Sequence, residues 1–453
     1  MTSTIKVNKI EKVDGSTIEL GGPGTSVNLA CGATQTGFGR TGTVDWCTTA
    51  KTSPFTAVSG EGYFVNTTAG VVTVTLPSSP SAGDIVSIKD YASTFDNNSV
   101  TVGRNGSKIG GECADATLAD AGDSVTLIYV DGTKGWLNVQ TDDTVVAKSY
   151  VAATGGTVTT CGNFKIHTFT SSGCFQVTAA GNSGGSNKVE YMVVAGGGGG
   201  GSSTAGGGGG AGGYRESSGV TAGCYSVSPL GSGVSALNAS VATFPISVGA
   251  GGSGGSPPAA GGSGSPSVFS TITSTGGGGG ANDSNVALTG GSGGGGGFRP
   301  PGAPSAGAAG NTPPVSPPQG NPGGDTNPST SNPDRGGGGG GATAAGTTPS
   351  GNPAGPGGAG ATSSINGTPT QRAGGGGGGK DEDSPNGGTS GDGGAGGGGR
   401  GASSDSSNSR AGAAGTANTG GGGGGGGAGG PAPFTSGYAG GSGIVILRYK
   451  FQN

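Results

Sequence analysis

Short stretches of alternating apolar and polar residues recur through the first third of the chain, and none follows a helical period. Each stretch predicts a strand with one buried face. Turn residues such as Asn97-Asn98 and Asp131-Gly132 separate several of them. The region between Phe55 and Gln140 therefore predicts a β domain, a sandwich or jelly roll, in which Trp136 is a core residue or a trimer contact rather than a platform for a ligand. The apolar positions of the strands are Tyr63 and Val65; Val72, Val74 and Leu76; Ile85 and Ile88; Val100 and Val102; Val125, Leu127 and Tyr129; and Trp136 and Val139.

A separate extended segment precedes this domain at residues 3–20. Ile5 and Val7 lie on one face of it, and Asp14-Gly15 predicts a turn. So short a segment cannot bury its own apolar face, because small units shield too little surface. We therefore expect it to associate with other copies in a homotrimer or to dock on a larger assembly.

Two apolar strands bracket the glycine-rich part of the chain. One covers residues 189–194, Val-Glu-Tyr-Met-Val-Val, and the other covers residues 444–451, Ile-Val-Ile-Leu-Arg-Tyr-Lys-Phe. Further strands are predicted between residues 148 and 194 and around Phe244 and Ile246. A flexible linker gains nothing from a last strand that pairs with its beginning, so the bracketing predicts a folded domain.

Eight runs of consecutive glycine lie between these strands, and glycine contributes 114 of the 453 residues. Ordering such a run costs roughly 1 to 2 kcal/mol per residue and buries no side chain in return. We predict that hydrogen bonds between runs offset this cost, because an extended helix with three residues per turn points its N–H and C=O groups at neighbours in three directions. Any Cβ would hold adjacent backbones apart. The runs are Gly196–Gly201, Gly206–Gly210, Gly276–Gly280, Gly293–Gly297, Gly336–Gly341, Gly374–Gly379, Gly396–Gly399 and Gly420–Gly427.

The alternative interpretation is a flexible Gly/Ser/Pro linker, which such a composition without a strict period often indicates. The bracketing strands and the unequal spacers between runs favour parallel rods joined by loops. No strict Gly-X-Y period is present, which excludes collagen. We predict an all-β, fibrous and trimeric fold with a polyglycine II-type domain. Its parts are an attachment segment (residues 1–50), a β domain (51–147) and a glycine-rich domain (148–453) with its glycine runs within residues 196–427.

Charge and cysteine usage limit the partners. The formal net charge of −4 gives no electrostatic reason to bind nucleic acid. No stretch has the roughly 18 apolar residues needed to span a bilayer, and no secretion signal is recognised, so we expect a soluble chain made in the cytoplasm. The six cysteines lack CxxC spacing, which argues against zinc. Cys161 and Cys174 flank a predicted hairpin and could form a disulfide, but reduced, buried thiols are the preferred prediction.

The sequence contains only incomplete matches to catalytic and ligand-binding motifs. His167 is the only histidine, and its neighbours predict a strand, so a structural role is favoured over a catalytic triad. Gly374 to Lys380 matches the start of a phosphate-binding loop, but Asp381 stands where a Ser or Thr belongs. Residues 381–383 are adjacent carboxylates without the spacing of a calcium loop. We therefore predict no enzymatic activity, no metal and no cofactor.

Ten side chains between the glycine runs are candidate contacts with a partner, because loops on a rigid scaffold commonly carry binding residues. The alternative, that they only cover the glycine lattice and keep it soluble, stays open. The ten are Phe298, Arg299, Asp334, Arg335, Ile365, Arg372, Lys380, Asp381, Arg400 and Arg410.

Several sequence stretches resemble fibre proteins of phages. Residues 3–10, Ser-Thr-Ile-Lys-Val-Asn-Lys-Ile, with Asp14-Gly15-Ser16-Thr17, resemble the starts of tail-fibre-like structural proteins of marine cyanophages and related tailed phages. The pattern from Gly62 to Pro77 and the pair Gly135-Trp136 are similar to a β domain of tail-fibre and head-fibre proteins.

The glycine-rich part carries the second half of this resemblance. Its opening at residues 193–195, the sequence Ala211-Gly212-Gly213-Tyr214 and the closing residues 440–446 resemble the glycine-rich domain of such fibres. The glycine runs are similar to the polyglycine sandwich of tail-fibre tip adhesins. This chain differs from those adhesins in its long proline-rich spacers, such as residues 298–335.

The resemblance implies a virion tail fibre protein. It implies attachment to other tail or baseplate proteins through the N-terminus and non-covalent binding of a host cell-surface protein or glycan through loops between the glycine runs. The alternative is a purely structural virion component, such as a head fibre, baseplate or connector protein. A depolymerase would have to release reducing sugar from host glycan, and we expect none.

Overall fold

The computed structural model describes residues 44–139, 149–182, 185–219, 225–298, 305–326, 335–351, 353–381, 389–403, 410–427 and 436–452. Within these ranges every regular element is a β-strand, which confirms the all-β prediction. The chain divides into two compact units, one of residues 1–107 and 119–142 and the other of residues 108–118 and 143–453. The predicted segment 1–50 lies outside the described residues up to position 43.

Nine strands cover residues 45–138. Five of them form one sheet in the order β1-β3-β5-β8-β9, and β2, β4 and β6 follow one another in a second sheet. The chain therefore moves between the two sheets from one strand to the next up to β6. The strands are β1 (Asp45–Lys51), β2 (Phe55–Thr56), β3 (Glu61–Val65), β4 (Val72–Thr75), β5 (Ile85–Asp90), β6 (Val100–Gly103), β7 (Ala116–Leu118), β8 (Ser124–Asp131) and β9 (Gly135–Asn138).

These strands lie where the alternation predicts them, but they pair differently from those of a jelly roll. The neighbours β1, β3 and β5 are parallel, and so are β2, β4 and β6. A strand that follows a crossover through the other sheet returns in the same direction, so the pairing is parallel. Only β8 and β9 form the predicted hairpin at Asp131-Gly132. Trp136 is fully buried, which confirms its place in the core.

Thirteen further strands lie between residues 151 and 450. One sheet has the order β11-β12-β22-β14-β15, with β16 also paired to β14, and a second has the order β10-β13-β17-β18-β19. β20 and β21 form a separate hairpin. The strands are β10 (Val151–Thr154), β11 (Thr157–Cys161), β12 (Phe164–Phe169), β13 (Gly173–Ala180), β14 (Lys188–Val194), β15 (Tyr214–Glu216), β16 (Leu237–Asn238), β17 (Ala242–Ser247), β18 (Ser267–Phe269), β19 (Ile272–Ser274), β20 (Ala361–Ser363), β21 (Thr370–Arg372) and β22 (Ile444–Lys450).

The two bracketing strands pair with each other, as predicted. β14 and β22 are antiparallel neighbours, with Met192 opposite Ile446 and Val193 opposite Val445. Val193 and Val445 pack into one apolar cluster with side chains of the sheet β10-β13-β17-β18-β19. Met192 and Ile446 pack into another cluster with residues of the glycine-rich part. Both faces are therefore buried, which explains why these strands are almost continuously apolar.

The glycine runs form the predicted lattice of hydrogen-bonded extended threads. In the thread 196–201 the donor partners repeat every third residue. Residues 196 and 199 donate to the thread 262–265, residues 197 and 200 to the thread 438–441, and residues 198 and 201 to the thread 207–210.

The carbonyl groups of thread 196–201 accept hydrogen bonds from three other threads, again with a period of three residues. The donors are the N–H groups of residues 277 and 280, residues 252 and 255, and residues 423 and 426. This thread therefore has six neighbours, as in polyglycine II.

Several segments that were predicted to be loops are also threads of the lattice. The segment Phe298 to Arg335 contains two of them: the N–H of Ala308 donates to Gly294 at 2.9 Å, and the N–H of Gly324 donates to Gly338 at 2.8 Å. Treating this whole segment as a loop was wrong. An outer thread needs glycine only where it faces a neighbour, and other residues such as the exposed Pro356 point to solvent.

The cysteine predictions were wrong. Cys161 is disulfide-bonded, whereas Cys174 is free and exposed. Cys161 ends β11 and Cys174 lies in β13, which belongs to the other sheet, so the two do not flank one hairpin. Cys47 is free and half-buried and Cys113 is free and exposed, so neither is the buried thiol expected. Cys31 and Cys224 lie outside the described residues.

Candidate functional site

The glycine lattice has two chemically different ends. At the sheet end, its threads continue from the bracketing strands: the N–H of Ala195 donates to Gly213 at 3.0 Å. At the other end the chain turns back after Gly201, whose N–H donates to Gly207 at 2.9 Å. We call this second end the loop end. It carries residues 202–205, Phe298, Arg335, Lys380, Ser403, Arg410 and Gly427.

A row of paired backbones crosses the loop end. Arg335 pairs with Lys380, Lys380 with Ser403, and Ser403 with Arg410. The N–H of Arg410 donates to Ser403 at 2.7 Å, and the N–H of Ser403 returns a hydrogen bond at 2.9 Å. These pairs bring three cationic residues from separate threads side by side. Arg335 and Lys380 are buried.

Arg410 is the accessible member of this row, and its side chain is about one-third exposed. One guanidinium nitrogen, Nη2, forms an ion pair with Asp392, and Nη1 donates to the carbonyl of Ser390 at 3.4 Å. Arg400 lies nearby in an adjacent thread, is exposed, and donates from Nε to the carbonyl of Ala411 at 2.8 Å. The edge of the loop end is therefore lined by two guanidinium groups.

Six of the ten predicted residues are at or near the loop end. Besides the four cations, Phe298 is half-buried and donates from its N–H to Ala205 at 3.0 Å, and Asp381 is half-buried beside Lys380. Arg299 and Asp334 lie outside the described residues.

A pocket of about 260 Å³, which the sequence pattern does not predict, also opens at the loop end. Its lining consists of Ser202, Ser203, Pro257, Pro258 and Asp283. Ser202 donates from Oγ to Ala259 at 2.6 Å. The only signal in the sequence is that two serines directly follow the first glycine run.

A family described as "Glycine-rich domain" matches residues 168–450, more than half of the chain. The chain belongs to this glycine-rich domain family. No curated protein matches the chain. The matched residues include both bracketing strands and every glycine run, so the glycine-rich domain comprises the lattice together with the strands that close it.

The remaining two predicted residues lie at the sheet end of the glycine-rich domain and are buried. Ile365 belongs to the apolar cluster of Met192 and Ile446. Burial lowers the pKa of the Arg372 guanidinium, which lies near the carboxylate of Glu216. In this structure neither side chain offers a surface to a partner.

Glu216 is the centre of a buried polar network at this end. Its carboxylate accepts hydrogen bonds from the hydroxyls of Tyr214 at 2.9 Å and Tyr225 at 2.8 Å, and also from those of Ser228 and Ser363. Burial, followed by the charge of Glu216, raises the pKa of Tyr225. The network joins β15 to β20, so its role is to hold the hairpin on the sheet.

The phosphate-loop resemblance is not supported by the backbone. The N–H groups of Gly375, Gly376 and Gly377 donate to other threads at 2.8 to 2.9 Å. They are therefore not available to cradle a phosphate. In the described ranges no three His, Cys, Asp or Glu side chains are grouped as metal ligands require, and no helix there could cross a membrane.

His167 lies in the core of the glycine-rich domain, in the predicted strand. Its Nδ1 is 2.7 Å from the carbonyl oxygen of Gly155, its Nε2 is 3.0 Å from the hydroxyl of Tyr449, and its ring is fully buried. Burial lowers the pKa of His167 below its ordinary value of 6.5.

This lowered pKa predicts a pH-dependent stability. As the pH falls below 6.5, the unfolded chain takes up a proton on His167 that the folded chain does not, so the folded state loses stability until the folded-state pKa is reached. We expect the melting temperature of the parent to fall more than that of His167→Gln between pH 7.5 and pH 5. Because the chain has one histidine, the difference between the two curves reports this residue. Parallel curves would contradict the assignment.

Proposed function

We propose that the protein is a tail fibre protein of a virion and that the loop end binds a protein or glycan on the host cell surface. In this proposal the chain forms a fibrous homotrimer and attaches through residues 1–50 to other tail or baseplate proteins. Binding is non-covalent, and the chain performs no catalytic step. The N-terminal and closing sequences, which resemble those of phage fibres, support this assignment.

The rigid presentation of the loop end carries the proposal. Backbone hydrogen bonds between neighbouring threads fix the positions of Lys380, Ser403 and Arg410, so the residues at this end keep a defined arrangement without a conventional core. Five segments outside the described residues, 299–304, 327–334, 382–388, 404–409 and 428–435, are each bounded on both sides by residues at or next to this end. Binding residues commonly lie on loops held by such a scaffold.

Replacement of loop segments tests the proposal. Residues 382–388 or 404–409 are exchanged for Gly/Ser sequences of the same length, which leaves the described threads unchanged. As a control, six Gly/Ser residues are inserted between Thr170 and Ser171, two exposed residues in the turn after β12. We expect the loop replacements to weaken binding of fluorescently labelled full-length protein to host cells by about tenfold or more, as loss of one strong contact would. The control should bind like the parent.

Two outcomes would contradict the host-binding function. One is binding to host cells that neither replacement changes, although both variants melt at the temperature of the parent. The other is an interior position in the particle, seen with labelled antibodies on intact virions. That second result would favour the purely structural component.

A further inference from the structure

Four cationic residues lie in neighbouring threads at the loop end of a chain whose formal net charge is −4. They are Arg335, Lys380, Arg400 and Arg410; backbone pairing joins Arg335 to Lys380, and joins both Lys380 and Arg410 to Ser403. Carboxylates of described residues also lie at this end: Asp392 forms an ion pair with Arg410, Asp381 follows Lys380, and Asp283 lines the pocket beside Ser202. The cations therefore form a local group rather than a net positive surface.

Two hydroxyl groups here are buried without a partner. Those of Ser390 and Ser403 make no hydrogen bond, although these residues are only 2% and 4% exposed. Buried polar groups are nearly always hydrogen-bonded. Ser403 also pairs through its backbone with the two cationic residues Lys380 and Arg410. A ligand that accepts hydrogen bonds would satisfy the hydroxyls, and a negative charge on it would suit these neighbouring cations.

Arg400 and Arg410 make this site accessible from solvent. The backbones of their two threads are joined, because the N–H of Ala413 donates to the carbonyl of Arg400 at 2.9 Å. Arg400 is exposed and uses Nε for its hydrogen bond to Ala411. A guanidinium group binds carboxylate or sulfate through two parallel hydrogen bonds.

We propose that the site formed by Lys380, Ser390, Ser403, Arg400 and Arg410 binds an oxyanion, a carboxylate or sulfate, carried by an acidic sugar. The inference rests on the proposed host-binding function and specifies its ligand class, an acidic surface glycan. The competing occupant is a carboxylate of the chain itself, since Asp334, Glu382, Asp383 and Asp405 lie in adjoining segments outside the described residues.

Calorimetric titration of the purified full-length protein tests the site. The probes are glucuronate, galactose 6-sulfate, inorganic sulfate and, as the neutral sugar, glucose. We expect both acidic sugars to bind, glucose not to bind, and inorganic sulfate to bind more weakly than galactose 6-sulfate. Binding should weaken as salt rises, because the contacts are ionic. Sulfate binding as tight as that of the sulfated sugar would overturn the assignment to a sugar ligand.

Variants assign the binding to this site. Arg400→Gln and Arg410→Gln, both outside the core, should each weaken binding of glucuronate about tenfold, the effect of losing one charge-assisted hydrogen bond. Arg215→Gln removes the same charge from a half-buried arginine in β15 at the sheet end and should leave binding unchanged. If the chain's own carboxylates fill the site, neither acidic sugar will bind, and the proposal is overturned. It is also overturned if both loop-end variants bind like the parent.

The two proposals fail in different ways. Binding to host cells without any binding of acidic sugars overturns the oxyanion site and leaves the host-binding function standing. Binding of acidic sugars that depends on Arg410, without any binding to host cells, supports the oxyanion site and counts against the fibre function.

Discussion

Replacing Gly208 by alanine is expected to lower the free energy of unfolding of the glycine-rich domain by about 3 kcal/mol, the upper part of the range for overpacked interiors. Gly208 lies in the middle of the lattice, where its N–H donates to Gly337 at 3.0 Å and its carbonyl accepts from Gly295 at 2.8 Å. A Cβ at this position would lie 2.1 Å from the carbonyl oxygen of Gly376. The two threads would have to separate, and hydrogen bonds on both sides would lengthen or break.

Gly173→Ala is the matched control for this substitution. It lies in the same unit, is exposed in β13, and its nearest neighbour for an added Cβ is the ring of Phe169 at 3.8 Å. Urea unfolding and scanning calorimetry of parent and variants measure the difference. Amide exchange should also become faster at Gly376 and its neighbours in the first variant alone. Equal stability of the two variants would mean that the threads are not packed as closely as described.

Glu190→Gln is expected to lower the free energy of unfolding by about 3 kcal/mol, because the substitution leaves a buried cation without its counterion. Glu190 in β14 and Arg448 in β22 are register partners and form an ion pair with both side chains 2% exposed. The Arg448 guanidinium lies 3.6 Å from the centre of the Phe164 ring. Removal of the carboxylate therefore leaves a charge that water cannot reach.

A double variant separates the pair from its surroundings. Glu190→Gln with Arg448→Met removes both charges, and we expect it to be more stable than the sum of the two single variants predicts, since no unpaired charge remains. Lys165→Gln, a half-buried lysine on the same sheet, should change stability by less than about 1 kcal/mol. Urea unfolding of the parent, the two single variants and the double variant gives the coupling energy between Glu190 and Arg448. A coupling energy near zero would show that the pair does not stabilise the sheet.

The sheets could be predicted because their pattern is local. β14 and β22 are nearly continuous apolar runs, and the sequence identified both strands and their pairing. The charged pair inside them was not anticipated: a single Glu and a single Arg in two apolar strands do not reveal that they lie opposite each other until the register is known.

The lattice was only partly predictable. Uninterrupted glycine runs identify the threads that are surrounded on all sides, such as residues 196–201. The outer threads were not predicted. A thread with solvent on one side tolerates Ala, Pro, Asp or Ser at the solvent-facing positions, so its sequence has the composition of a loop. Glycine at the inward positions alone, as in residues 354–360, is the signal that could have found them.

The candidate site shows the same limit. The sequence identified Arg335, Lys380, Arg400 and Arg410 among the few charges in the segments between glycine runs, and the structure brings these four to the same end of the lattice. It also selected Ile365 and Arg372, which the fold buries at the opposite end. The end of the lattice at which a residue lies depends on how far it is from the start of its thread. The sequence does not show where the outer threads start, so it could not separate the two ends.

The threefold repeat of hydrogen-bond partners constrains how the chain can change in length. Adding one or two residues within a thread would turn every later peptide group toward the wrong neighbour, so insertions there are tolerated only in steps of three. The connections at the loop end are under no such restriction. Related chains can therefore differ freely in the number and size of these connections while the register of the threads stays the same.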